Sequence, residues 1–170
     1  MEFATDNPNR TRVRNAVELA PGIHLRELQR LMGLSFTTVR HHVAKLARAG
    51  DVECSAQGGY TRIFPRGFPE SERGIVSALR RGSSRQVLRE LLRGKGTSNK
   101  EISLSTGLAK STVAKHLKLL KGLGIVREDT SLEGRGEYTL QNPGLIARLV
   151  TAGGAKLDLA SDRYIELWGF

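Results

Sequence analysis

Apolar residues recur at helical spacing in the stretch from Gly107 to Gly124. They are four, three and three residues apart, at Val113, Leu117, Leu120 and Leu123. This spacing places them on one side of a helix. The remaining positions are rich in lysine and contain no acidic residue. The pattern predicts a helix with an apolar back that packs on a core and a basic front that stays accessible.

The same pattern occurs 74 residues earlier in the chain. Residues 22–53 align without a gap on residues 96–127, with ten identical pairs in 32 positions. The identical pairs include two glycines, Gly33 and Gly107, and two histidines, His42 and His116. Matches at glycines favour a shared backbone geometry, because glycine readily adopts the left-handed turn that ends a helix. We therefore predict two copies of one structural unit.

Each copy contains three predicted helices followed by a β-hairpin. In the first copy the helices cover 9–20, 24–32 and 36–49, and the strands cover 52–55 and 60–64. In the second copy the helices cover 85–93, 100–105 and the stretch 107–124, and the strands cover 126–129 and 137–140. Ser35 is a favourable N-cap for its helix, whereas Ala109 stands at the equivalent position of the second copy. Ser83 and Ser84 are predicted to cap the helix at 85–93.

Further helices are predicted outside the two copies. One, at 70–81, links the copies, and two more, at 145–150 and 157–168, follow Pro143. The last helix carries an apolar stripe, which comprises Leu157, Ala160, Tyr164, Leu167 and Trp168. A stripe of this kind is more often a core or an interface than a ligand pocket. We expect a dimer interface or a brace against the second copy.

The net charge restricts the classes of partner. The chain of 170 residues has a formal net charge of +10, which favours a polyanion, with nucleic acid ahead of an anionic membrane. No apolar run approaches the roughly 20 residues of a spanning helix, and the N-terminus lacks the apolar region of a signal peptide. The single cysteine, Cys54, excludes an internal disulfide and is interpreted as a small core residue. A cytoplasmic protein is expected.

The third helix of each copy carries a recognisable motif. It reads SFTTVRHHVAKLARAG in the first copy and AKSTVAKHLKLLKGLG in the second. With two preceding helices and a hairpin, this resembles the winged helix-turn-helix of ArsR- and MarR-like regulators. The tandem arrangement with a C-terminal DRYIELW-like helix resembles archaeal two-winged-helix transcriptional regulators. The resemblance covers nearly the whole chain and implies sequence-directed binding of double-stranded DNA.

The resulting fold class is mainly α with small β-hairpin wings. The predicted division is a winged helix-turn-helix domain at 1–66, a linker helix at 67–83, a second such domain at 84–141, and C-terminal helices at 142–170. The cysteine-rich motif of metal-sensing ArsR relatives is absent from the sequence. No metal, cofactor or enzymatic activity is expected, because no nucleophile–base pair, phosphate loop or metal cluster is evident.

In a helix-turn-helix the third helix enters the major groove, and its first residues reach the base edges. The predicted DNA-binding residues are Phe36, Thr37, Arg40, His41, Lys45, Arg48, Arg62, Lys110, Ser111, Lys115, Lys118, Lys121 and Arg135. Arg40 can form a bidentate contact with guanine, and Phe36 or Thr37 can touch a thymine methyl or a phosphate. Arg62 and Arg135 belong to the wings, whose tips can enter the minor groove.

Other interpretations of these residues remain open from the sequence alone. Scattered lysines usually form a solvated face, but such a face normally mixes signs, and no Asp or Glu occurs at 28–50 or 102–127. Arg62 or Arg135 can equally be a chance arginine in a disordered loop, with no contact to DNA. His42 and His116 are expected to be partly buried packing or hydrogen-bonding residues rather than ligands. The alternative function is a winged-helix protein-interaction module of a transcription or replication assembly.

Overall fold

A computed structural model describes residues 7–57, 60–94, 96–130 and 136–151. The chain divides into two compact units, here called unit 1 and unit 2, with the boundary between Arg73 and Gly74. This boundary lies inside the predicted linker at 67–83, and the four-part division of the chain stays a prediction.

Unit 1 has three helices and a three-stranded antiparallel sheet. Its elements in chain order are α1 (Pro8–Leu19), β1 (Ile23–His24), α2 (Leu25–Met32), α3 (Phe36–Ala49), β2 (Val52–Gln57) and β3 (Tyr60–Pro65). The strand order is β1-β3-β2, and Ile63 of β3 lies opposite both Ile23 and Cys54. Strand β1 was not predicted, because its two residues are too few to show the alternation of apolar and polar positions that indicates a strand.

Unit 2 repeats this arrangement. A preceding helix, α4 (Glu70–Leu79), spans the unit boundary and ends two residues before the predicted 81. The repeated elements are α5 (Gly82–Arg93), β4 (Thr97–Ser98), α6 (Asn99–Thr106), α7 (Lys110–Gly122), β5 (Val126–Thr130) and β6 (Gly136–Leu140). Its sheet has the order β4-β6-β5. Residues 143–151 are helical, and the predicted helix at 157–168 lies outside the described residues.

Local chemistry explains where the third helices begin and end. The Ser35 hydroxyl accepts a hydrogen bond from the Thr38 amide at 3.1 Å, as an N-cap should, and Gly50 ends α3 in the left-handed region at φ 76°. The turns before α3 and α7 are made by Gly33 and Gly107, with φ of 64° and 72°. The predicted helix–turn–helix geometry is therefore present in both units.

Each unit encloses an apolar core beneath its third helix. In unit 1 the core includes Val13, Val17, Leu28 and Ile63, all fully buried. In unit 2 the fully buried residues include Val87, Leu88 and Ile102. Since the third helix packs on this core through one face, its opposite face is left accessible.

Two predictions about small residues are wrong. Cys54 is exposed rather than in the core, because it lies on β2, which is an edge strand of the sheet, although its partner Ile63 on β3 is buried. Ser83 and Ser84 do not cap a helix, because α5 already begins at Gly82. Ser84 is instead fully buried, and its hydroxyl hydrogen-bonds to Nδ1 of His116 at 2.8 Å.

Candidate nucleic-acid interface

Helix α3 packs on the core of unit 1 with its apolar face, and this packing leaves its basic face accessible. Val39, Val43 and Leu46 are buried in the core of unit 1. The predicted contact residues lie on the other faces and are all exposed, namely Phe36, Thr37, Arg40, His41, Lys45 and Arg48. The structure therefore brings these six side chains together on one accessible helix surface, which we call surface 1.

Surface 1 is positively charged and lacks internal compensation. Within the described part of the chain, none of the basic side chains Arg40, Lys45 and Arg48 forms an ion pair. Solvated helical faces usually pair opposite charges one turn apart. Cations without protein partners are available to phosphate oxygens or base edges.

Helix α7 presents the corresponding surface in unit 2. Val113, Leu117 and Leu120 are buried, and the exposed residues are Lys110, Ser111, Lys115 and Lys118, here called surface 2. These three lysines also make no ion pair among the described residues. Surface 2 thus resembles surface 1 in placement, but its cations are point charges without the planar fork of arginine.

Lys121 differs from the other lysines of α7. Its ammonium group pairs with the carboxylate of Glu128 on β5, and Glu128 also accepts a hydrogen bond from the Tyr138 hydroxyl at 2.9 Å. The hydrogen bond from Lys121, followed by that from Tyr138, lowers the pKa of Glu128. Lys121 therefore bridges the helix to the wing, and its charge is partly compensated within the protein.

Burial argues against the prediction that Arg62 contacts DNA from the wing. Arg62 is 3% exposed, and its Nη1 donates a hydrogen bond to the Gly22 carbonyl at 3.0 Å. The Gly22 amide in turn donates to the Ile63 carbonyl at 2.8 Å. Arg62 thus ties β3 to the turn before β1, and burial withdraws its guanidinium from solvent. Arg135, the predicted contact in the second wing, lies outside the described residues.

The two repeated histidines lie behind the basic surfaces, as predicted for packing residues. His42 is 7% exposed, and its Nδ1 has no hydrogen-bond partner among the described residues. Burial, followed by the nearby charges of His41, Arg10 and Lys45, lowers the pKa of His42. Burial, followed by Arg81 and Lys115, also lowers the pKa of His116. Both imidazoles are therefore held towards the neutral form.

The sequence did not predict the contacts of two arginines that link different elements of unit 1. The guanidinium carbon of Arg26 in α2 lies 5.5 Å from the centroid of the Phe36 ring. Arg73 pairs with the Glu53 carboxylate at the base of the wing and stacks on Phe64 at 5.4 Å. Both contacts join residues of different elements, so neither leaves a periodic signal in the sequence.

Comparisons with known families match both halves of the chain. A family described as an N-terminal helix-turn-helix domain matches residues 7–76. A second family, described as a winged helix-turn-helix DNA-binding domain, matches residues 80–127. No curated protein matches the chain. Among the described residues, no helix combines the length and apolar content that crossing a membrane requires.

The matches coincide with the two structural units and with the repeat in the sequence. Each matched range contains a three-helix arrangement with its glycine turn, and the observed hairpins supply the wings. The chain therefore carries two tandem helix-turn-helix domains, each followed by a hairpin wing, and the second matches a winged helix-turn-helix DNA-binding family.

Proposed function

We propose that the chain is a transcriptional regulator that binds double-stranded DNA through surfaces 1 and 2. The third helix of each unit would lie in a major groove, and the wings would follow the backbone or the minor groove. One observation supports this most directly: both third helices expose basic side chains that have no acidic partner among the described residues.

The two surfaces differ in what they offer to DNA. Surface 1 contains Arg40, whose planar fork suits the N7 and O6 acceptors of guanine, together with Phe36 and Thr37. Surface 2 contains only lysines as charged groups, and lysine holds phosphate without a preferred orientation. We assign most of the sequence preference to unit 1 and most of the sequence-independent affinity to unit 2.

The proposal is tested by binding of the full chain to duplexes selected from random sequence, measured at several salt concentrations. Each phosphate contact should contribute about −0.9 to the slope of log K against log salt. A selected duplex should also bind at least about a thousandfold more tightly than an unrelated duplex. Equal affinity for every duplex would contradict a sequence-specific regulator, and a flat salt dependence would contradict phosphate binding altogether.

One observation favours the alternative of a protein-interaction module. Leu104 on α6 is 73% exposed, and it borders an open groove that is also lined by Glu90 and Glu101. An acidic groove beside an exposed leucine suits a basic protein segment better than a nucleic acid. Stable capture of a protein partner that is abolished by Leu104→Ser, together with absent duplex binding, would favour this alternative.

The predicted homodimer contacts Tyr164, Leu167 and Trp168 lie outside the described residues. Dimerisation through these residues is a proposal. That the chain belongs with ArsR-like, MarR-like or archaeal two-winged-helix regulators is a proposal as well. Sedimentation of the full chain and of a Trp168→Ala variant tests the dimer, because loss of the ring should shift the equilibrium towards the monomer.

A further inference from the structure

Arg26 and Phe36 form a cation–π contact at the start of α3. Arg26 is the second residue of α2, Phe36 is the first residue of α3, and the guanidinium lies 5.5 Å from the ring centroid. Both residues are exposed, and Phe36 is one of three large apolar side chains exposed within the described residues. The tertiary fold thus adds a cation from α2 to surface 1.

The guanidinium of Arg26 makes neither a hydrogen bond nor an ion pair with any residue that the structure describes. The adjacent acid, Glu27, lies 3.9 Å from the His24 imidazole instead. A cation–π contact uses no hydrogen-bond donor of the guanidinium, so its N–H groups stay available to a ligand.

The position of the pair is the one from which bases are read. In helix-turn-helix complexes the N-terminal residues of the recognition helix contact base edges in the major groove. Phe36 begins this helix and lies one turn before Arg40. A guanidinium fixed on the Phe36 ring would therefore reach the groove with a restricted orientation, which favours bidentate contact.

We infer that Arg26 is a specificity-determining residue of unit 1, an inference that rests on the proposed DNA-binding function. Its guanidinium, positioned by Phe36, donates two hydrogen bonds to N7 and O6 of a guanine. The exposed edge of the ring contacts the 5-methyl group of a neighbouring thymine. The ligand is a duplex in which guanine and thymine are adjacent.

Unit 2 has no counterpart of this pair. Its equivalent positions are Lys100 and Lys110, and the Lys110 carbonyl accepts a hydrogen bond from the Asn99 side chain at 3.3 Å. Neither a ring nor a planar fork is present at these two positions. Unit 2 therefore supplies an internal contrast within the same chain.

The competing interpretation is that Arg26 only shields the Phe36 ring from water. Two conservative variants separate the interpretations: Arg26→Lys keeps the charge but removes the fork, and Phe36→Leu keeps an apolar side chain but removes the ring. Arg30→Lys is the matched control, because Arg30 is also exposed on α2 but its Nε donates to the Arg26 carbonyl at 3.4 Å. Unchanged thermal unfolding confirms that each variant is folded.

The probes are copies of one duplex selected by the full-length wild-type chain. One series replaces single guanines by 7-deazaguanine, which lacks the N7 acceptor, and another replaces single thymines by deoxyuridine, which lacks the methyl group. At one guanine the wild type should lose about fivefold or more in affinity. Arg26→Lys should weaken this response, because an ammonium donates from a single point and not through a planar fork, while its salt dependence stays unchanged; Arg30→Lys should retain the full response.

The ring is tested in the same way. Phe36→Leu should lose the response to deoxyuridine at the neighbouring thymine and weaken the response to 7-deazaguanine. If Arg26→Lys retains every guanine response of the wild type, the inference is overturned while sequence-specific binding stands. If the wild type selects no sequence at all, the proposed function fails as well, so the two failures are distinguishable.

Discussion

Burial distinguishes two arginines of unit 1, Arg40 and Arg62. Arg40 and Arg62 look alike in the sequence, since both lie in segments that the fold class associates with DNA. Arg40 is exposed on α3, whereas Arg62 is 3% exposed and bonded to the Gly22 carbonyl. A buried arginine stabilises the fold through its hydrogen bonds, and an exposed one is available to a ligand.

Replacing Arg62 by Met should therefore affect stability rather than DNA binding. Loss of the bond to the buried Gly22 carbonyl should lower the free energy of unfolding by about 1–3 kcal/mol. Denaturant unfolding measures this change. Arg66→Met is the matched control, because Arg66 is exposed at the base of the same wing and should cost no more than about 0.5 kcal/mol.

Affinity for DNA, measured on the folded Arg62→Met protein, should equal that of the wild type. A variant of normal stability that binds all duplexes more weakly would restore the original prediction that Arg62 contacts DNA.

The two repeated histidines make stability depend on pH. Their pKa values are lowered in the folded state, chiefly by burial, so folding favours the neutral imidazole. In the unfolded chain each imidazole takes up its proton near pH 6.5, whereas in the folded chain it does so only at a lower pH. The free energy of unfolding should be highest above about pH 6.5 and should fall as the pH is lowered below it.

The pH dependence of unfolding between about pH 7 and 5 tests this, because the carboxylates Glu53 and Glu128 titrate at lower pH. His42→Leu should reduce the slope and cost little stability, since the Nδ1 of His42 has no partner among the described residues. His116→Leu should cost more, because it removes the partner of the buried Ser84 hydroxyl. An unchanged slope in both variants would contradict this account.

At the scale of elements, the third helices are similar but are not capped alike. Ser35 caps α3 through its hydroxyl, while Ala109 occupies the N-cap of α7 without a side-chain hydrogen bond, as its sequence predicts. Helix α6 of the same unit begins with a reciprocal capping box of Ser98 and Glu101. The missing side-chain cap in this part of unit 2 is therefore that of α7.

Ala109→Ser should stabilise unit 2 by about 0.5–1 kcal/mol, because a serine hydroxyl can accept from the free amides of the first turn. The backbone at Ala109, with φ −58° and ψ 143°, is close to that of Ser35, with φ −64° and ψ 149°. Ser35→Ala is the reciprocal variant and should destabilise unit 1 by about 1 kcal/mol. Thermal unfolding of both variants measures these shifts, and a destabilising Ala109→Ser would refute the argument.

At the scale of the whole molecule, one repeated fold carries two different surfaces. Surface 1 holds arginine beside an aromatic ring, and surface 2 holds lysines alone among its charged groups. Because the units share one chain, the two binding events would reinforce each other at a high effective concentration. Under the proposed function, a sequence preference from unit 1 and a sequence-independent affinity from unit 2 would together give tight, selective binding.

Two single variants should separate these contributions. Arg40→Ala should relax the preference for the selected duplex by about five- to a hundredfold, because it removes a candidate base contact. Lys115→Ala should weaken all duplexes alike and reduce the salt slope by about 0.9, because it removes a phosphate contact. Titrations of selected and unrelated duplexes at several salt concentrations provide both values. The opposite pattern would reverse the assignment of the two units.

The repeat, the helix order and the basic surfaces followed from the sequence, because they depend on short-range spacing. Periodic apolar residues fixed which face of α3 and α7 packs inward, and Gly33 and Gly107 marked the turns. Helix ends were less well predicted, since Gly82 extends α5 beyond the serines that were expected to cap it. The two-residue strands β1 and β4 form only because β3 and β6 offer an open edge to pair with.

Tertiary structure alone decided the roles of Arg26, Arg62, Cys54 and Ser84. Each depends on a neighbour or a degree of burial that residues distant in sequence create: the Phe36 ring for Arg26, the Gly22 carbonyl for Arg62, and His116 for Ser84. Spacing along a chain encodes which face of an element is apolar. It does not encode which polar group from another element comes within hydrogen-bonding distance, because that is set by how the elements pack.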